Sequence, residues 1–178
     1  MFSILKKIKF PVILKLFLLM HIFKKINVYQ DIIQTFNKTK IMKETKKGQC
    51  AIQVINRLKT DSKNLSESKI KEIWMGEMKK LTSSEDSINK CCPRKTLTGL
   101  ILNNKTIINS ENNYNFTSKN YDYVRFLLDD KKLPKKPILK SDKLKCWELI
   151  QNKFEKAPKN QNGQLDVLLA LHSNNLLN

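Results

Sequence analysis

The residues able to do chemistry in this chain are few, and their spacing is poor for catalysis. Its two histidines, His21 and His172, stand far apart, in or beside apolar runs. The cysteines are Cys50, the adjacent pair Cys91-Cys92, and Cys146, so no Cys-x-x-Cys pair offers two metal ligands from one turn. No metal and no cofactor is expected, and the thiols read as buried or half-buried free cysteines. Asp129-Asp130 adjoins Lys131-Lys132 at the end of an expected helix, a setting for surface charge rather than for two carboxyls sharing a proton. A glycine-rich phosphate loop, an HExxH pair and a GxSxG elbow are all missing from the sequence. The expectation is a protein that is not an enzyme. The most suggestive spot is Cys92-Pro93-Arg94-Lys95-Thr96, which reads as a helix start. Its N–H groups, positive dipole end, Arg94 and Lys95 could meet a phosphate, as a helix-turn-helix recognition helix does. An ordinary helix start with solvated charges accounts for the same residues.

Charge is the other chemical signal. The chain of 178 residues has 34 Lys plus Arg against 16 Asp plus Glu, a net charge of +18. Only Arg57, Arg94 and Arg125 are arginines, and 31 are lysines. Readers of base edges lean on the bidentate arginine fork, so this balance is a weaker nucleic-acid signal than the charge suggests. Lys, Ile and Asn, all with AT-rich codons, total 67 residues, so codon bias also accounts for much of the charge. Residues 1–47 hold 11 Lys and two acids, and residues 131–145 hold seven Lys and one Asp. The basicity lies on the connections. A polyanionic partner, DNA or RNA, would then meet Arg94 and Lys95 together with Lys131, Lys132, Lys135 and Lys136.

These residues need elements to position them. One ordinary domain fits the length, four Gly and five Pro exclude a collagen-like chain, and four Cys argue against a disulfide scaffold. Residues 1–27 combine Lys6, Lys7 and Lys9 with an apolar run from Phe10 to Phe23, broken by Lys15 and His21. That run is short of the roughly 20 residues a membrane span needs. Three readings stay open: a signal or signal-anchor segment, an amphipathic helix on a membrane surface, or an upstream start with the functional domain beginning nearer Met42. Residues 28–47 form a basic connection, and residues 48–178 the domain proper.

Within that domain Ile52, Ile55 and Leu58 form an apolar stripe, and Ser66 or Ser68 can cap a helix carrying Ile70, Ile73, Trp74, Met78 and Leu81. A polar loop over 82–89 leads to the Pro93 helix, ended by Asn103-Asn104. A short strand or wing suits residues 105–117, where Thr106-Ile107-Ile108 is β-branched. Ser118 caps a helix through Val124, Leu127 and Leu128, and residues 131–141, with Pro134 and Pro137, form a linker. A helix from Ser141 or Asp142 and an apolar one from Gln164 to Asn174 complete the chain. The stretch 70–81 resembles 143–154, with Trp74 answering Trp147, which suggests two helix-loop-helix units.

Three segments carry a family resemblance: KCCPRKTLTGL, NNYNFTSKNYDY and NGQLDVLLALHSNNLL. They resemble a small, uncharacterised bacterial family, a domain of unknown function, over roughly residues 48–178. Its pattern falls on Trp74, Lys90, Cys92, Pro93, Arg94, Gly99 and Leu100, then on Asn113, Tyr114, Ser118, Asn120 and Tyr123. The last block supplies Asn162, Gln164, Asp166, Val167, Leu169, Ala170 and Leu171. Leu97 replaces an aromatic, His172 a tryptophan, and Asn103-Asn104 a glycine-rich turn, which marks a divergent member. The resemblance implies a compact helical domain, intracellular in setting, and brings no established activity with it. Structural roles suffice for Tyr114, Tyr123, Asn162, Gln164 and Asp166.

The combined expectation is a mainly α bundle of five to six helices, arranged as two helix-loop-helix units with a short β wing, after a hydrophobic N-terminal arm. Its expected role is a non-enzymatic module that binds nucleic acid. The alternative is a membrane-associated or exported module that binds a protein partner of unknown kind.

Overall fold

The computed structural model describes residues 20–21, 23–25, 27, 41–60, 65–109 and 115–178. The chain forms two compact units, Met1–Ile41 and Met42–Asn178.

In the first unit Met20, His21, Phe23, Lys24, Lys25 and Asn27 are helical and exposed. Most of the signal-like run lies outside the described residues. Among those described, no helix is long and apolar enough to cross a membrane. The expected N-terminal hydrophobic segment, and the membrane-surface partner drawn from it, are corrected on that finding. The physical reason is visible in the described turn, where His21, Lys24 and Lys25 break the apolar face within a few residues.

Among the described residues the second unit holds seven helices: α1 (Lys46–Thr60), α2 (Glu67–Leu81), α3 (Glu85–Asn89), α4 (Cys91–Leu102), α5 (Lys119–Asp129), α6 (Lys140–Lys153) and α7 (Gln164–Ser173). Several starts are local chemistry. Ser66 Oγ accepts the Lys69 N–H at 3.2 Å and Ser118 Oγ the Tyr121 N–H at 3.2 Å, each satisfying an orphan donor of a first turn. The carboxylate of Asp142 accepts the Leu139 N–H at 2.8 Å and so starts α6 at Lys140.

Two expectations change here. Helix α3 lies where a polar loop was expected and raises the count above five to six. Ser84 Oγ accepts the Ser87 N–H at 3.4 Å and Ile88 buries its side chain, but five residues carry too little periodicity to be read as a helix. The β wing is absent, with no strand among the described residues. Thr106 makes one isolated antiparallel bridge to Leu177. Thr106 Oγ1 also accepts the Ile108 N–H at 3.3 Å, turning the segment out of extension.

Helix α7 is the hub, in contact with α1, α4, α5 and α6. Gln164 to Leu171 are all buried, as expected of a helix apolar on every side. Gly48 of α1 allows that close approach, because a Cβ there would stand 2.8 Å from Ala170 Cβ. Around the hub, Trp74, Ile55, Leu58, Leu97, Leu100 and Leu127 fill the core.

Three helices end in the same way. Asn104, Lys131 and Asn175 take left-handed φ values of 54°, 52° and 54°. In each case the next N–H reaches back to the helix: Lys105 to Leu100 O (2.8 Å), Lys132 to Leu127 O (2.8 Å), Leu176 to Leu171 O (2.9 Å). These are Schellman stops built with asparagine and lysine in a chain poor in glycine.

Candidate functional site

Helices α4 and α7 lie against each other with their starts at the same end. Gln164 Nε2 donates to Asn120 Oδ1 at 2.9 Å, while Thr96 Oγ1 donates to Asn120 O at 3.2 Å, so the first residues of α5 bridge the two. Gln164 also turns back on its own start, its Oε1 accepting the Asn162 N–H at 2.6 Å. Gly163, at φ 98°, begins α7 without a side-chain cap and lies under the aliphatic stem of Lys47.

Four charged side chains from four elements meet there. Lys143, in the first turn of α6, donates to Asp166 Oδ1 at 2.6 Å, with Asp166 itself only 5% exposed. Lys47 comes from the start of α1, and Lys90 is the single residue between α3 and α4. Burial pushes the Lys47 ammonium below the ordinary lysine value, and repulsion from Lys90 lowers it further. Attraction by Asp166 opposes this, Lys143 lowers it again, and Cys92 opposes weakly. Three half-buried lysines thus lie near one another, with Lys143 paired to Asp166 and Lys47 under the influence of Lys90, Lys143 and Asp166. Cys92 stands beside them, its thiol held up first by burial and then by Cys91. A concentration of partly desolvated positive charge at a helix start favours an incoming anion.

Other expected positions have different surroundings. Arg94 and Lys95 are half-buried in the first turn of α4, next in sequence to this cluster; Pro93 is buried as the third helical residue rather than the first. The linker lysines belong to the other end of α7. His172 Nε2 donates to Pro134 O at 3.0 Å and Lys136 Nζ to Asn175 Oδ1 at 2.5 Å, tying the linker to the helix C-terminus. Lys131 and Lys132 form the stop of α5, and Lys132 also pairs with Asp130 at 2.8 Å and covers the Phe126 ring at 4.0 Å. Lys135 is exposed. With ten residues, α7 separates the two basic groups by about 15 Å.

The positions that carry the family resemblance divide by role. Trp74, Leu100, Val167, Leu169 and Leu171 are core. Gly99 makes room for Tyr121, Tyr123 stacks edge-on to Trp147 at 5.8 Å, and Asn120, Asn162 and Gln164 bond one another. Tyr114 and Asn113 lie outside the described residues. Lys90 and Asp166 both act on Lys47 in the lysine cluster, which sequence reasoning missed, because Lys47, Lys90, Lys143 and Asp166 are scattered over 120 residues of chain. Among the described residues, no group of three or more His, Cys, Asp or Glu could hold a metal.

A family model described as Family of unknown function (DUF6979) matches residues 62–178, well over half of the chain. No curated protein matches, and no solved structure does.

Proposed function

We propose, for a chain that belongs to the Family of unknown function (DUF6979), a non-enzymatic, intracellular module that binds nucleic acid through its phosphates. The lysine cluster carries this reading: half-buried Lys47 feels Lys90 and Lys143 as well as Asp166, whose carboxylate is already paired with Lys143, beside two helix starts. A phosphate would supply the missing negative charge, and Arg94 and Lys95 extend the same basic edge along α4. The linker lysines have smaller parts, since Lys132 and Lys136 are already engaged at the far end of α7. Four free thiols are in keeping with a reducing compartment.

The test is a salt series of binding to duplex and single-stranded DNA and RNA, with the full chain and with Lys90→Ala and Arg94→Ala. Each phosphate contact adds about 0.9 to the slope of log affinity against log salt on duplex, so each substitution should lower that slope by about one contact. Binding no tighter than that of a scrambled Lys-rich peptide would overturn the proposal. So would unchanged affinity and slope in both variants, which would put any binding on the basic residues 1–41.

A further inference from the structure

A groove of about 420 Å³ adjoins the lysine cluster and shares Lys143 with it. It runs between α6 and the turn that leads into α7. Its apolar part is Leu144, 67% exposed, and the edge of Trp147, which is only 6% exposed. Lys140, Lys143 and Lys159 line the same groove against one carboxylate, Glu148. Gln161 also lines it, with its Oε1 accepting the Gly163 N–H at 2.7 Å, so its amide N–H groups are not used in that bond. Gln151 Nε2 donates to Pro158 O (3.1 Å) and Lys159 O (3.2 Å), so the turn carrying Lys159 is held to α6.

An exposed leucine and an indole edge, carboxamide donors and an excess of lysine together suit a ligand with a flat apolar body, a polar edge and a phosphate. We infer that this groove seats one nucleotide unit of a single strand, its base against Leu144 and Trp147 and its phosphate on Lys143 and Lys159. The volume lies within the range of small-ligand sites. A paired base in a duplex cannot enter, because its faces are already stacked. The inference rests on the phosphate-binding reading above and specifies which nucleic acid it serves.

Tryptophan emission of the full chain tests it, titrated with a single-stranded decanucleotide, the matching duplex, a nucleoside monophosphate and inorganic phosphate. The single strand should change the emission and bind more tightly than the duplex. Trp147→Phe should abolish the change while binding, read by anisotropy of a labelled strand, persists; the remaining Trp74 is fully buried. Leu144→Ser should weaken single-strand binding roughly tenfold, the size of one lost base contact, and leave duplex binding as it was. Equal binding of strand and duplex, with unchanged emission and no effect of Leu144→Ser, overturns the groove assignment and leaves the phosphate reading standing. Failure of strand and duplex alike overturns both. A monophosphate that reproduces the emission change, as the strand does, supports the groove and shows that a free nucleotide also fills it. A matching response to inorganic phosphate alone removes the base from the assignment and overturns it.

Discussion

At the scale of single residues, two helical glycines with the same intrinsic cost have opposite reasons to be there. Glycine within a helix is about 0.5–1 kcal/mol worse than alanine, so replacing either should help if nothing else intervened. At Gly99 something does: a Cβ would lie 2.4 Å from Tyr121 Cγ, and Tyr121 is packed in the core. Overpacking of this kind costs about 1–3 kcal/mol, which outweighs the gain in helix propensity. Gly76 has nothing within 4 Å of the position its Cβ would take. Gly99→Ala should therefore lower the urea midpoint at unchanged slope, and Gly76→Ala should raise it. Two shifts of the same sign would show that the Tyr121 contact does not decide the matter. Of the two, only Gly99 belongs to the family pattern, and its role here is steric.

At the scale of elements, helix starts follow from sequence chemistry and helix stops follow from an unusual choice of residue. Ser66 and Ser118 were legible as caps because the bond each accepts lies within one turn. The stops were less legible, since asparagine and lysine, not glycine, occupy the left-handed position. Asparagine visits that region readily, but for lysine it costs about 1–2 kcal/mol. Lys131→Gly should relieve this strain, less the greater freedom of glycine in the unfolded chain, and stabilise by about 0.5–1 kcal/mol. A thermal melt or urea titration checks it. A loss of stability would mean that the side chain of Lys131 makes a contribution larger than the backbone strain. The polar loop read over 82–89 proved to contain α3, and that short helix is what brings Lys90 to the corner before α4.

For the whole molecule, the groups buried in the core set its response to alkali. Burial pushes the Cys50 thiol up to about 12, with Glu77 adding to it, and Cys146 up to about 11, with Asp142 adding. The Tyr121 hydroxyl is pushed up to about 12 mainly by burial; Arg125 opposes this, while Asp129 and Asp122 add to it. Well below pH 9, the ordinary thiol value, all three are protonated whether the chain is folded or not, so they leave stability unchanged there. Above it the unfolded chain releases these protons while the folded chain retains them, and folding becomes less favourable. Stability should decline from about pH 9 through 11 to 12, where the folded groups at last ionise. Melting temperatures that stay level between pH 8 and 11 would contradict the burial of these groups. The net charge of +18 acts at the same scale, because its self-repulsion is relieved by a polyanionic partner and screened by salt.

Sequence alone determined what neighbouring residues decide among themselves: the helical class, most helix limits, the serine caps and the family to which residues 62–178 belong. The first three rest on periodicity or bonding within a turn or two, and the family on its motif segments. The tertiary structure decided what depends on distant residues. It replaced the expected wing with one bridge to Leu177, tied the linker to the C-terminal end of α7, and gathered Lys47, Lys90, Lys143 and Asp166 into one place. No local pattern marks those four, because a lysine bound for a half-buried cluster reads like any solvated one until the chain has folded around it.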